Sequence, residues 1–193
     1  MFKKIVIADS LAPHVDFIFT NYTTLNSLTL LLGLVYFSFQ IYCDFSGYSD
    51  IAIGVAKLFG FELMSNFNFP FFSRNVGEFW RRWHISLSSW FRDYIYIPLG
   101  GSKRGKWISI RNMVIVFLLS GFWHGANWTF VVWGLCHAML FMPLFLSNKN
   151  RRYLSSNIAK NSFLPSFFEL LQMMITYFST TILWVFFRSQ SIT

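Results

Sequence analysis

Long uncharged stretches divide the chain into segments of membrane-spanning length. Residues 17–43 contain no Asp, Glu, Lys or Arg, and residues 28–42 are almost wholly apolar. At 1.5 Å per residue, this is enough for one helix across about 30 Å of hydrocarbon. Residues 170–187 are also uncharged and predict another spanning helix. The apolar residues 51–61 are too few to span unless they continue the preceding helix or lie partly buried.

The longest uncharged run covers residues 112–148 and has an unusual centre. It is too long for one straight span and slightly short for two, and its middle reads Gly121-Phe-Trp-His124-Gly-Ala-Asn127. We predict a hairpin whose first limb, of about 13 residues, turns back before the far surface. Broken backbone at membrane depth is tolerated only where protein or a water-filled cavity surrounds it. We therefore expect His124 to line a cavity inside the membrane.

Composition and charge favour a membrane protein. Hydrophobic residues make up 54% of the 193 residues, aromatic residues 21% and charged residues only 12%, against about 25% charged in an average soluble domain. An ordinary soluble enzyme and a disordered chain are both disfavoured. The net charge of +8 would suggest nucleic acid in a soluble chain. Here the basic residues lie between uncharged runs, which indicates cytoplasmic loops and lipid headgroups, and no nucleic-acid partner.

The distribution of basic residues predicts the topology. Residues 74–111 hold eight of them and residues 149–160 hold four. A hairpin between the two clusters places both on one side, which the positive-inside rule makes cytoplasmic. The apolar start is interrupted by Asp9, His14 and Asp16, so we do not expect a cleaved signal peptide. With no repeat or low-complexity tract, residues 1–193 are predicted to form one all-α, multi-pass membrane domain.

His124 is the strongest candidate for chemistry. An ionisable residue in a long uncharged stretch is costly, and the default hypothesis is function. Neutral imidazole can act as a general base near pH 7. The alternative is a histidine that binds a backbone carbonyl and holds the hairpin shut. His137 lies 13 residues further along, in an apolar helix, where we expect a structural role.

The segment 75–101 predicts a helix lying at the membrane interface. Its apolar residues share an arc of roughly 120°, while Arg81, Ser88 and Arg92 share another face and His84 lies at the edge. The alternative to a functional role is that this helix only anchors the protein at the interface. Three carboxylates are expected to cap helices or pair with Arg, namely Asp44, Asp50 and Asp93. Cys43 and Cys136 indicate neither a metal site nor a disulfide framework, and no phosphate-binding loop or nucleophile elbow is present.

Two motifs together resemble the membrane-bound O-acyltransferase family. Residues 79–101 read FWRRWHISLSSWFRDYIYIPLGG, and residues 121–128 read GFWHGANW. More narrowly, they resemble the alginate O-acetylation branch, whose relatives D-alanylate teichoic acids. Residues 44–50, DFSGYSD, and 184–188, WVFFR, are similar to this branch too. The resemblance covers essentially the whole chain, which looks like a partial copy that begins inside the family sequence and stops before its last helices.

The resemblance implies a fold, a reaction and site residues. The family has transmembrane helices around a central tunnel, with interfacial and re-entrant helices, in the bacterial inner membrane. Its near-invariant histidine matches His124, and the second active position of this branch matches His84. The residues expected to line the substrate site or tunnel are Trp80, Arg81, Trp83, Ser88, Asp93, Trp123 and Asn127. No metal or bound cofactor is expected.

The function implied is acyl transfer to a cell-envelope polysaccharide. The acyl donor is expected to be acetyl-coenzyme A or another cytoplasmic acyl thioester, and the acceptor alginate, another exopolysaccharide or peptidoglycan. Membrane lipids and a periplasmic or extracellular acetyltransferase are the expected partners. The alternatives are D-alanyl or other acyl transfer to teichoic acid, a transporter, and a non-catalytic membrane scaffold. The transporter is disfavoured because neither internal repeats nor intramembrane carboxylates are evident.

Overall fold

The computed structural model describes residues 1–154, 158–159, 163–189 and 191. All regular secondary structure in these residues is helical. Within the described residues, four helices are long and apolar enough to cross a membrane, namely Ser27–Leu58, Lys106–His124, Trp128–Leu146 and Phe167–Arg188. The predicted all-α, multi-pass membrane fold is therefore confirmed. The chain divides into two compact units, Met1–Asn66 and Phe67–Thr193.

The first unit is an antiparallel pair of helices preceded by a π-helical turn. The turn covers Lys3–Ala8, α1 covers Asp9–Thr20 and α2 covers Ser27–Leu58. The Asn26 side chain caps α2 by accepting a hydrogen bond from the Thr29 N–H at 2.9 Å. Helix α2 continues through both aspartates, so the short apolar segment after Asp50 extends this helix.

Lysines of the first turn pair with the aspartates of α2. Lys3 Nζ donates to Asp50 at 2.8 Å, and Lys4 donates to Asp44. The expectation of Arg partners or helix caps is therefore wrong for these two aspartates. The π-helical turn packs along α2 and brings lysines, which are far away in sequence, beside the carboxylates.

The second unit contains the remaining helices. After a 3₁₀ turn at Pro70–Phe72 come α3 (Val76–Arg82), α4 (Ile85–Phe91) and a π-helical turn at Arg92–Tyr96. The long helices α5 (Lys106–His124), α6 (Trp128–Leu146) and α7 (Phe167–Arg188) follow. The predicted span 170–187 corresponds to α7. Of the predicted basic loop 149–160, residues 155–157 and 160 lie outside the described residues.

Helices α5 and α6 form the predicted hairpin, and glycines allow them to approach closely. A Cβ atom on Gly121 would lie 2.2 Å from the Phe130 carbonyl oxygen, and one on Gly134 would lie 2.3 Å from the Phe117 carbonyl oxygen. Small residues at such crossings let membrane helices pack backbone against backbone. The first limb has 19 residues rather than 13, because α5 already begins at Lys106, ahead of the uncharged run.

The single helix predicted within the segment 75–101 is wrong, because the chain breaks at Trp83 and His84. Trp83 is extended, and His84 has φ 45° and ψ 57°, in the left-handed region. The break turns Trp83 into the interior, where it is 6% exposed, while Trp90 and Tyr94 are 50% and 68% exposed. The predicted common apolar arc is therefore divided between the interior and the surface.

Candidate active site

His124 is the last residue of α5 and lies in a cage of aromatic rings. The ring centroid of Phe187 on α7 is 4.9 Å from the imidazole, Trp123 is 5.1 Å away and Trp133 on α6 is 5.4 Å away. Phe130 adds a fourth ring at 6.3 Å. Three helices thus converge on this imidazole, which is partly exposed.

Local sequence explains why the chain turns directly after His124. Gly125 has an extended conformation, and a Cβ atom there would lie 2.7 Å from the Phe130 ring. The Asn127 side chain then accepts a hydrogen bond from the Thr129 N–H at 3.1 Å and caps α6. Glycine for close approach and asparagine as a cap together fix where the hairpin turns.

The structure brings His84 to the same place as His124. The Trp123 ring contacts both imidazoles, with a centroid distance of 6.3 Å to His84. The two histidines lie within electrostatic range of each other. Residues 40 positions apart in the sequence therefore lie on either side of one tryptophan ring.

His84 occupies a backbone conformation that is rare for residues other than glycine. A left-handed residue of this kind costs on the order of 1–3 kcal/mol and is concentrated at functional sites. Burial lowers the pKa of His84 from 6.5 to about 4. The imidazole is therefore neutral at pH 7, with one N–H donor and one acceptor nitrogen.

A cavity of about 510 Å³ lies in the same unit. Its lining includes the buried or half-buried rings of Trp80, Phe117, Phe141 and Phe145. It also includes the exposed basic side chains of Arg92, Lys106 and Arg151. The cavity therefore extends from a basic surface into an aromatic interior.

The predicted lining residues take different positions around these features. Trp80 and Ser88 line the cavity, and Trp123 contacts both histidines. Trp83 stacks on Phe79 with ring centroids 5.6 Å apart. Asn127 caps α6, as described above. Neither His84 nor His124 is among the described residues that line the cavity.

Arg81 and Asp93 hold local structure in place. Arg81 donates to the backbone carbonyls of Asn150 and Arg152 at 2.9 and 3.0 Å, and burial lowers its pKa. Arg92 pairs with Asp93 at 2.7 Å, and this hydrogen bond lowers the pKa of the Asp93 carboxyl group. The expectation that Asp93 pairs with Arg is thus confirmed. Asn150 and Arg151 line the cavity, so Arg81 fixes a loop that borders it.

A buried ion cluster centred on Glu78 was not predicted from the sequence. Arg74 pairs with Glu78 and Glu169, both at 3.0 Å, and Arg82 pairs with Glu78 at 2.7 Å. Arg74 lies over the Tyr153 ring at 3.9 Å. Burial disfavours the charge on Arg74, but the hydrogen bonds to both glutamates outweigh it and raise its pKa. The i,i+4 spacing of Arg74, Glu78 and Arg82 was the available sequence signal.

His137 is fully buried, and sequence reasoning assigned it only a structural role. Its ring centroid lies 4.7 Å from Trp133, 5.0 Å from Trp80 and 6.2 Å from Phe117. Trp133 contacts both His137 and His124, so it connects the two histidines. Among the described residues, no group of three or more His, Cys, Asp or Glu side chains could hold a metal ion.

Comparison with known proteins identifies the family. The model of the membrane-bound O-acyltransferase family matches residues 1–186. The chain is 41% identical over its whole length to "Peptidoglycan O-acetyltransferase" of Helicobacter pylori, covering 35% of that protein. It is 43% identical over 98% of its length to "Probable alginate O-acetylase AlgI" of Pseudomonas aeruginosa, covering 34% of that protein.

A third relative is named for the transfer of a different acyl group. The chain is 38% identical, over 64% of its length, to "Teichoic acid D-alanyltransferase" of Bacillus subtilis, covering 33% of that protein. The chain spans about a third of the length of these relatives. With the family model matching nearly all of its residues, the chain belongs to the membrane-bound O-acyltransferase family.

Proposed function

We propose that this chain carries the catalytic histidine of a membrane O-acetyltransferase that modifies a cell-envelope polysaccharide. The observation that supports it best is the aromatic cage around His124, at the end of a membrane helix and beside a second histidine in a strained conformation. The O-acetyltransferases named among the relatives indicate the reaction class.

In this proposal His124 is the general base. It takes the proton from an acceptor hydroxyl as the hydroxyl oxygen attacks the carbonyl carbon of an acetyl thioester. The new C–O bond forms, the C–S bond breaks, and the thiolate receives the proton to leave as a thiol. The surrounding rings limit the access of water, which would otherwise hydrolyse the thioester.

His84 assists as a hydrogen-bond donor. The transition state of acyl transfer places negative charge on the carbonyl oxygen, and a fixed N–H group directed at that oxygen stabilises it. A neutral imidazole offers one such N–H without a proton transfer. The depressed pKa of His84, about 4, keeps it in this neutral form near pH 7.

In this proposal the acyl donor binds at the basic surface. The exposed Arg92, Lys106 and Arg151 would attract an anionic donor such as acetyl-coenzyme A. By the positive-inside rule this surface is cytoplasmic. We accordingly propose the bacterial inner membrane as the location, an exported polysaccharide as the acceptor and an extracytoplasmic acetyltransferase as the partner.

Acetyl is preferred to D-alanyl because of the similarities. The chain is 41% and 43% identical to two proteins named for O-acetylation over almost its whole length, but only 38% identical over 64% of its length to the D-alanyltransferase. Alginate, another exopolysaccharide and peptidoglycan are all candidate acceptors.

A transfer assay on the full-length protein tests the proposal. Membrane vesicles containing it are given acetyl-coenzyme A labelled in the acetyl group, or a D-alanyl thioester, together with isolated envelope polysaccharide. We expect the acetyl label to reach the polysaccharide, and the His124→Ala variant to lower the rate about 10²- to 10⁴-fold at equal membrane abundance.

The same assay can contradict the proposal. Transfer from the D-alanyl thioester alone would replace the acetyl assignment with the teichoic acid alternative. No His124-dependent transfer from either donor, with the protein folded in the membrane, would favour a scaffold or transporter instead.

A further inference from the structure

The buried face of α6 carries polar atoms that have no hydrogen-bond partner among the residues that the structure describes. Thr129, Trp133 and His137 follow at intervals of four residues and so lie on one face of the helix. All three are almost completely buried. The Thr129 hydroxyl, the Trp133 indole N–H and both His137 ring nitrogens accept or donate no hydrogen bond among the described residues.

Trp80 extends this set from the opposite side. Its indole nitrogen is also buried and unpartnered, and its ring centroid is 5.0 Å from His137 and 5.8 Å from Trp133. Trp80 lines the cavity, and Phe141, one helical turn beyond His137, lines it as well. Trp80 thus contacts both rings at the cavity, and Trp133 in turn contacts His124 with ring centroids 5.4 Å apart.

So many buried polar atoms without partners need an explanation. Buried donors and acceptors are almost always hydrogen-bonded, because leaving one unsatisfied is costly. Phenylalanine at position 137 would fill similar space against the same rings without that cost. A histidine at this position is explained if its nitrogens bind something other than the protein.

We propose that His137 is a substrate-positioning residue for the acyl transfer. Its two nitrogens, with the indole N–H groups of Trp80 and Trp133, hydrogen-bond an uncharged polar segment of the acyl donor between the cavity and His124. This inference rests on the proposed function. An amide-containing arm, such as the pantetheine arm of coenzyme A, has this chemistry.

The bound segment must be neutral and must both donate and accept hydrogen bonds. The rings that contact His137 are aromatic, so a charge placed there would be buried without an opposite charge from them. Neutral imidazole offers one donor and one acceptor, and each indole adds a donor. A secondary amide, with one N–H and one C=O, matches this set.

The test compares His137→Phe with His137→Gln in the full-length protein. Phenylalanine keeps the ring shape and removes both nitrogens, whereas glutamine keeps one donor and one acceptor. We expect His137→Phe to retain or raise the unfolding temperature, yet to lower kcat/KM for acetyl-coenzyme A about tenfold or more, mainly through KM. His137→Gln should recover part of this loss. The exposed His14, changed to Phe, is the matched control and should leave the kinetics unchanged.

A second experiment does not depend on how the variants fold. The wild-type protein is given two acetyl thioesters of equal length, one of pantetheine and one of an alkanethiol without amides. We expect kcat/KM for the amide-free donor to be at least about tenfold lower.

Equal kinetics of the two donors, or a His137→Phe variant with wild-type kcat/KM, would overturn the inference and leave His137 as a packing residue. The proposed function would survive that result, because transfer by the wild-type protein and its loss in His124→Ala test it separately. Absence of transfer by the wild-type protein would overturn both.

Discussion

The glycine contacts of the α5–α6 hairpin make a quantitative prediction for Gly121→Ala. The added Cβ atom would lie 2.2 Å from the Phe130 carbonyl oxygen, where an ordinary contact needs about 3.4 Å. The two helices must therefore separate by roughly 1.2 Å at this point. Overpacking of this kind typically costs about 1–3 kcal/mol.

The same displacement should reach the reacting group. Gly121 lies less than one helical turn before His124, and Trp133, which packs against His124, directly precedes Gly134. A misplacement of about 1 Å can lower a catalysed rate about 10²-fold. We therefore expect Gly121→Ala to reduce acyl transfer by about that factor while the protein still inserts in the membrane.

The assay combines thermal unfolding in detergent with acyl transfer per molecule of full-length protein. Gly134→Ala should behave like Gly121→Ala, because its Cβ atom would lie 2.3 Å from the Phe117 carbonyl oxygen. Gly54→Ala is the matched control, since nothing lies within 4 Å of its Cβ position and alanine favours the helix by about 1 kcal/mol. Wild-type stability and activity in Gly121→Ala would refute the packing argument.

Three further predictions concern His84, the ion cluster and the topology. Because the pKa of His84 falls from 6.5 to about 4 on folding, its contribution to the free energy of unfolding should be constant above pH 6.5 and decline as the pH is lowered from 6.5 to 4. His84→Ala should remove that part of the pH dependence and lower acyl transfer, and an unchanged pH profile would contradict this prediction. Glu78→Gln should lower the free energy of unfolding by about 3 kcal/mol because it breaks a buried ion pair. Asp93→Asn, at an exposed ion pair, is the control and should change stability little. Equal melting temperatures of the two variants would refute the stabilising role of the cluster. A Ser102→Cys variant in intact cells should not react with an impermeant thiol reagent from outside, and efficient labelling would reverse the proposed topology.

Features set by local composition could be predicted from the sequence. Uncharged runs locate the long helices, because a helix in lipid must be apolar over its length. The prediction of residues 170–187 as a span agrees with α7, and the glycines around His124 correctly predicted a hairpin. The approach of His84 to His124 was implied only by the family resemblance.

Features set by contacts distant in sequence could not be predicted. The break at His84 accompanies burial of Trp83 against Trp184, with ring centroids 5.1 Å apart, and these residues are 101 positions apart in the chain. A helical pattern cannot show that one tryptophan leaves the common face. The burial of Glu78 and the unpartnered nitrogens of His137 likewise depend on which helices pack together.

The most direct test of the central claim compares His124→Gln with wild type. Glutamine can keep a hydrogen bond at the hairpin but cannot act as a general base near pH 7. If His124 is the base, the Gln variant should reach the membrane in normal amounts and transfer acetyl groups about 10²- to 10⁴-fold more slowly per molecule. If the Gln variant keeps most of the wild-type rate, His124 only holds the hairpin together and the proposed catalytic role is wrong.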